Sequence, residues 1–214
     1  MQHILARCLV LVVTCLAAIN IYAQSGTPNV SRILVYGDSL SAAYGMAESE
    51  GWVALLKNRL APQGVEVINH SVSGETTSGG INRFSGVLER SQPDLVILQL
   101  GANDGLRGLS VKTMKSNLAG MIEQSHAINA SVLLVAVQIP PNYGKRYTSA
   151  FDAVFTGLSE QSNTTMMQFM TEQVFDNPDM MQQDNLHPNT EAQPILMENV
   201  WVSLEPLLAG NGSD

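Results

Sequence analysis

Short apolar runs alternate along the chain with segments in which apolar residues recur every three or four positions. The runs are typical of buried strands and lie at residues 32–36, 65–68, 94–100, 131–137 and 164–170. The helix-like repeats lie between or after them, at residues 52–60, 81–88, 111–122, 151–158 and 197–207. This alternation predicts an α/β protein, because a parallel strand is joined to the next one by a crossover helix.

The runs at 32–36, 94–100 and 131–137 are almost continuously apolar. Strands of that kind are covered on both faces, so we predict a three-layer α/β/α fold with a parallel sheet of about five strands, in a flavodoxin-like arrangement. In open sheets of this type, ligands bind beyond the carboxyl ends of the strands. The least ordinary sequence lies at those ends.

The first 25 residues have the order of a secretory signal. A short, weakly basic start precedes an apolar run at residues 8–21, and small residues follow at Ala23 and Ser25. The run is shorter than the ~20 residues that a permanent membrane anchor needs. We therefore predict a signal peptide at 1–25, cleaved near residues 23–25, and a single domain at 26–214 that is periplasmic or secreted and has no stable membrane anchor. A lipoprotein signal ending at Cys15 and a buried N-terminal helix are the alternatives.

The amino-acid composition argues against nucleic-acid binding, binding to anionic membranes and cysteine-based chemistry. The formal net charge is −8 and the isoelectric point is about 4.9, which disfavours nucleic acids and anionic bilayer surfaces as partners. Both cysteines, Cys8 and Cys15, fall inside the predicted signal. The mature chain would then have no thiol nucleophile and no cysteine-ligated metal. The expected partner is a small-molecule substrate, and the expected oligomeric state is a monomer.

Ser39 is the candidate nucleophile, since it follows the first predicted strand. A serine hydroxyl needs a base that is itself held in the correct tautomer. His187 is the candidate base, because Asp184 precedes it by three residues and can share one side of a tight turn with it. Taken alone, such a pair is more often a surface turn. His126 is expected to be solvated, and His70 is expected to be structural or to lie near the cleft.

An acyl-transfer site also needs donors for the oxyanion. Gly74 lets the backbone approach a ligand closely, Asn103 offers a side-chain amide, and the N–H of Ser39 is a third donor. Each of these residues is also common in ordinary turns.

Four blocks in this order resemble the signature of the SGNH (GDSL) hydrolases. They are Gly37-Asp-Ser-Leu40, Gly74, Gly101-Ala-Asn103-Asp104 and Asp184-x-x-His187. Longer stretches, such as Pro141-Asn-Tyr-Gly-Lys-Arg-Tyr147, are similar to the bacterial periplasmic enzymes of this family that act as both thioesterases and lysophospholipases. The resemblance covers roughly residues 32–208.

The resemblance implies catalytic roles for these positions. Ser39 would be the nucleophile, His187 the base and Asp184 its orienting acid, with Ser39, Gly74 and Asn103 forming the oxyanion hole. It also implies an acyl-binding loop at Asn142, Tyr143 and Gly144, and no metal or cofactor.

The expected reaction is hydrolysis of fatty acyl esters and thioesters, lysophospholipids among them, through an acyl-enzyme. The alternatives are a short-chain carbohydrate or aryl acetylesterase and, in another class, a non-catalytic ligand-binding protein.

Overall fold

A computed structural model describes residues 30–160, 164–168, 170–171 and 173–208. The predicted signal peptide at 1–25 lies outside these residues. The strands are β1 (Arg32–Gly37), β2 (Glu66–Asn69), β3 (Leu95–Gln99), β4 (Ser131–Val135) and β5 (Thr164–Met167). The helices are α1 (Trp52–Leu60), α2 (Thr77–Ser91), α3 (Ala102–Leu106), α4 (Val111–Ala127), α5 (Lys145–Ser159) and α6 (Gln193–Leu208). None of the helices in the described segments combines the length and the apolar character that crossing a bilayer requires.

The five strands form one parallel sheet in the order β2-β1-β3-β4-β5. The predicted three-layer architecture is confirmed. The chain winds outward from β1 in one direction and from β3 in the other, so a crevice opens between the carboxyl ends of these two strands. A switch point of this kind is where open α/β sheets bind their ligands.

Two apolar layers sandwich the sheet, and alternate residues of β1 face opposite layers. Ile33 and Val35 pack in the layer that contains α1 and α6, whereas Leu34 and Tyr36 pack with α2, α4 and α5. All four side chains are fully buried. This burial explains why β1 reads as a continuous apolar run and not as an alternation.

Several segments differ from the sequence prediction, and one of them is the strand predicted at 164–170, which ends at Met167. The strand predicted at 131–137 ends at Val135, and the next residues turn toward the Pro140–Pro141 pair, which has no N–H to continue a ladder. Helix α3 was not predicted, since five residues are too few to show an apolar repeat. The residue that precedes it, Gly101, has a φ of +121°, and a side chain there would press on Phe155 and Met114.

Replacement of Phe84 by Ala tests the packing of α2 on the sheet. Phe84 is fully buried and meets Tyr36 edge-on, with ring centroids 4.8 Å apart. We expect Phe84→Ala to lower the free energy of unfolding by about 3–5 kcal/mol, measured by urea denaturation. The control Val202→Ala, at a side chain 73% exposed, should change it by less than about 0.5 kcal/mol. Equal effects of the two changes would contradict this packing.

Candidate active site

Ser39 lies in the turn that follows β1, above a buried hydrogen-bond network. Gln99, the last residue of β3, accepts from the Ser41 hydroxyl at 2.7 Å and donates to Asp38 Oδ1 at 3.0 Å. Asp38 and Ser41, on either side of Ser39 in the sequence, are therefore hydrogen-bonded to the neighbouring strand. A side chain at Gly37 would come within 2.7 Å of Gln99 Oε1, so only glycine leaves room for this network.

The side chains of Asp184, His187 and Ser39 form one continuous hydrogen-bonded chain. His187 Nδ1 lies 2.6 Å from Asp184 Oδ2, and His187 Nε2 lies 2.9 Å from Ser39 Oγ. With Nδ1 protonated, the imidazole donates to the carboxylate and its other nitrogen can accept the hydroxyl proton. The structure brings all three predicted residues together in the arrangement that nucleophilic catalysis requires.

Asp184 also organises the loop that carries His187. Its Oδ1 accepts from the backbone N–H groups of Leu186 at 2.9 Å and His187 at 3.0 Å, so one carboxylate fixes both the turn and the imidazole. An antiparallel bridge between Met181 and Pro188 closes the base of the loop.

The electrostatics of this pair favour charge separation during the reaction. The hydrogen bonds from His187 and Leu186 lower the pKa of Asp184 to about 2. Asp184 is therefore ionised at neutral pH and can stabilise the imidazolium that forms when His187 accepts a proton. The Tyr44 ring packs against the imidazole of His187, with the two ring centroids 4.4 Å apart.

The three predicted oxyanion donors have no hydrogen-bond acceptor among the described residues. None of the hydrogen bonds there uses the N–H of Ser39, the N–H of Gly74 or the side-chain amide of Asn103. The three residues and His187 line one cleft of about 700 Å³. Free donors beside a nucleophile are suited to stabilising the negative oxygen of a tetrahedral intermediate.

The wall of the cleft is largely apolar away from these polar groups. Its side chains include Leu106, Val137, Ile139, Pro140, Met170 and Phe175. Asp152 and Thr148 of α5 add polar positions to this wall. Within the described residues, no group of three His, Cys, Asp or Glu side chains is arranged to hold a metal ion.

The predicted acyl-binding residues lie beside the cleft and not among the residues that line it. Pro141 and Thr148 line it, whereas Asn142, Tyr143 and Gly144 between them do not. The Tyr143 hydroxyl donates to the carbonyl oxygen of Leu106 at 2.7 Å. Tyr143 thus joins its loop to the end of α3, and a direct substrate contact for these three residues stays a prediction.

Sequence reasoning missed several residues of the site. Gln99 gave no signal beyond its position at the end of a strand, and Phe175 lies in an irregular segment without a motif. Tyr44 stands only five residues after Ser39, but nothing in the sequence pairs it with His187. His70, which was considered for a role near the cleft, does not line it.

Comparison with known proteins gives consistent matches over most of the chain. Residues 35–194 match the sequence profile of the GDSL-like Lipase/Acylhydrolase family. Esterase TesA of Pseudomonas aeruginosa is 45% identical over 196 residues, which are 91% of this chain and 96% of that protein. Thioesterase 1/protease 1/lysophospholipase L1 of Escherichia coli is 38% identical over 82% of this chain and 84% of its own length. The crystal structure of psychrotrophic esterase EstA from Pseudoalteromonas sp., inhibited by monoethylphosphonate, has a TM-score of 0.80 at 43% identity and covers 83% of this chain and 98% of its own.

Replacement of Asp38 tests the electrostatics beneath the nucleophile. Asp38 is 1% exposed and its Oδ2 has no partner among the described residues. Burial raises the pKa of Asp38 to about 6. Ionisation of Asp38 is therefore less favourable in the folded than in the unfolded chain, and its destabilising effect grows as the pH rises from about 4 to 6 and is complete above that range.

We expect Asp38→Asn to be more stable than the wild type at pH 7.5, by up to about 3 kcal/mol for a pKa difference of roughly two units. Near pH 4 most of this gain should disappear, because the wild-type carboxyl is then protonated in the fold. Urea denaturation at the two pH values measures the difference. A gain or loss of the same size at both would contradict a raised pKa.

Proposed function

Since the chain belongs to the GDSL-like Lipase/Acylhydrolase family, we propose that it hydrolyses fatty acyl esters and thioesters with Ser39, His187 and Asp184 as its catalytic triad. The family and the esterase class expected from the four sequence blocks are confirmed by these relatives. The observation that carries the triad assignment is the hydrogen-bonded chain of 2.6 Å and 2.9 Å that joins the three side chains.

The first half of the reaction forms an acyl-enzyme. His187 Nε2 removes the proton of Ser39 while Oγ attacks the acyl carbonyl carbon, and the carbonyl electron pair moves onto its oxygen. The N–H groups of Ser39 and Gly74 and the amide of Asn103 stabilise this oxyanion. The intermediate then collapses, the bond to the leaving oxygen or sulfur breaks, and the imidazolium supplies the proton that the leaving group needs.

The second half repeats these steps with water. His187 takes a proton from water, the resulting hydroxide attacks the Ser39 ester, and the proton returns to Ser39 Oγ as the fatty acid leaves. Asp184 remains ionised throughout and stabilises the imidazolium in both halves.

The volume and the apolar lining of the cleft support the proposal that it binds the acyl chain of the substrate. A cleft of about 700 Å³ with Val137, Ile139, Met170 and Phe175 in its wall offers much more apolar surface than an acetyl group would bury. The P. aeruginosa and E. coli relatives are named as an esterase and as a thioesterase and lysophospholipase.

A separate proposal, which rests on the N-terminal sequence pattern, concerns the cell compartment. A signal peptide at residues 1–25 would export a single hydrolase domain, acting as a monomer, to the periplasm or out of the cell. Detection of the protein in the periplasmic fraction, with an N-terminus near residue 24 to 26, is the corresponding observation.

Substitution of the triad tests the mechanism directly. We expect Ser39→Ala and His187→Ala each to lower kcat/KM for p-nitrophenyl decanoate by about 10⁴-fold or more, because each removes a group on which the others depend. Ser149→Ala is the matched control, since Ser149 is exposed on α5, does not line the cleft and has no side-chain hydrogen bond in the described residues. It should remain within about threefold of the wild type. An active Ser39→Ala variant would exclude the proposed nucleophile.

The acyl length is tested with a series of p-nitrophenyl esters. A maximum at medium or long chains supports the fatty acyl assignment, because the extra methylenes bury apolar surface in the cleft. A maximum at acetyl, with a fall for every longer chain, would instead indicate a short-chain acetylesterase.

A further inference from the structure

The loop at residues 70–76, here called the Gly74 loop, carries one of the proposed oxyanion donors. The sheet holds its beginning, because the N–H of Val72 donates to the Gly37 carbonyl at 3.0 Å. Arg83 of α2 donates to the His70 carbonyl at 2.9 Å and pairs with Glu75 at 2.7 Å. None of these contacts connects the Gly74 loop to Asn103 of α3, whose side-chain amide is the second proposed oxyanion donor.

Asp104 connects α3 to the end of the Gly74 loop. It is the residue after Asn103 and is 3% exposed. Its Oδ2 accepts from the backbone N–H of Thr77 at 2.8 Å, and its Oδ1 accepts from the Thr77 hydroxyl at 2.6 Å. One carboxylate thus satisfies both donors of the first residue of α2. Asn117 of α4 donates to the same hydroxyl at 3.1 Å and fixes its orientation.

Arg107 makes a second connection from the other end of α3. Its backbone N–H donates to the Asn103 carbonyl at 3.2 Å, so it sits one turn after Asn103. Its guanidinium donates to the carbonyl oxygen of Gly74 at 3.0 Å. Gly74 adopts a φ of +76°, so the loop turns sharply at the residue that Arg107 contacts.

We propose that Asp104 and Arg107 are positioning residues that join the Gly74 N–H and the Asn103 amide into one rigid oxyanion-binding unit. This inference rests on the proposed function, since it concerns the same reaction. Neither side chain touches the substrate; each acts by fixing the segment that carries a donor.

The chemistry of these contacts suits that role. Hydrogen bonds to a buried carboxylate are short, directional and stronger than neutral ones. A buried carboxylate is also a costly way to attach one helix to another, since apolar contacts achieve that without desolvating a charge. What it adds is a fixed geometry, and a displacement of about 1 Å at a catalytic group can cost on the order of 100-fold in rate.

Thr77 provides the sharpest test, because its hydroxyl can be removed with little change of shape. Thr77→Val should lower kcat for p-nitrophenyl decanoate by roughly 10–100-fold, while KM and the pH profile of kcat/KM stay near wild type, since His187 is unaffected. Thr77→Ser keeps the hydroxyl and should recover most of the rate. Arg107→Met should lower kcat by a smaller factor, and Lys112→Met, at an exposed cation that forms no ion pair within the described residues, should leave it unchanged.

A tetrahedral-adduct inhibitor separates positioning from a general structural effect. A decyl trifluoromethyl ketone forms an oxyanion on Ser39, so its affinity should fall across Thr77→Val, Asp104→Asn and Arg107→Met by the same factors as kcat/KM. Folding of each variant is checked by its circular dichroism spectrum and its thermal midpoint. If Thr77→Val does not fold, the exposed variant Arg107→Met carries the test alone.

The outcomes distinguish this inference from the proposed function. Folded Thr77→Val and Arg107→Met variants with kcat within twofold of the wild type would overturn the positioning role, even if Ser39→Ala and Asn103→Ala lose activity. A fall in kcat without a parallel loss of inhibitor affinity would overturn it as well. Retained activity in Asn103→Ala and Ser39→Ala would instead refute the proposed site itself.

Discussion

The hydrogen bond of 2.9 Å between Ser39 Oγ and His187 Nε2 joins residues that lie 148 positions apart in the sequence. No local preference of the chain can create such a contact. It requires that β1 lie inside the sheet between β2 and β3, so that its carboxyl end opens into the crevice, and that the loop before α6 return to that point. The packing of the sheet and helices holds the carboxyl end of β1 and the loop before α6 at hydrogen-bonding distance.

The site is supported by polar groups that the fold buries at some cost to its stability. Gln99 and Asp38 lie beneath the nucleophile, and Asp104 lies between the two segments that carry the free donors. Apolar side chains beneath the site would pack at lower desolvation cost. They would not fix the orientation of Ser39, Gly74 and Asn103, because apolar contacts are not directional. Burial raises the pKa of Asp38, so ionisation of this carboxyl beneath the nucleophile lowers the stability of the fold, as expected where function and stability compete.

Much of the fold and the reacting groups could be predicted from sequence, because each leaves a local signal. The continuous apolar run at 32–36 indicates a strand buried on both faces, and Asp184 three residues before His187 is a recognisable pair. The supporting residues leave no such signal. The role of Gln99 becomes visible only when β1 and β3 are known to be neighbouring strands. The role of Thr77, at the start of a helix, becomes visible only when α3 is known to lie beside it. Their roles depend on contacts between distant segments, which periodicity and motif spacing do not encode.

The contact between Ser39 and His187 can be tested by covalent modification with a fluorophosphonate, with the modified site mapped by tandem mass spectrometry of the digested protein. Such a reagent reacts only with a serine whose proton is taken up by a nearby base. We expect one modified residue, Ser39, in the wild type, and loss of the modification in His187→Ala. An unmodified protein, modification at another serine, or labelling that survives the loss of His187 would contradict this role of Ser39 and His187.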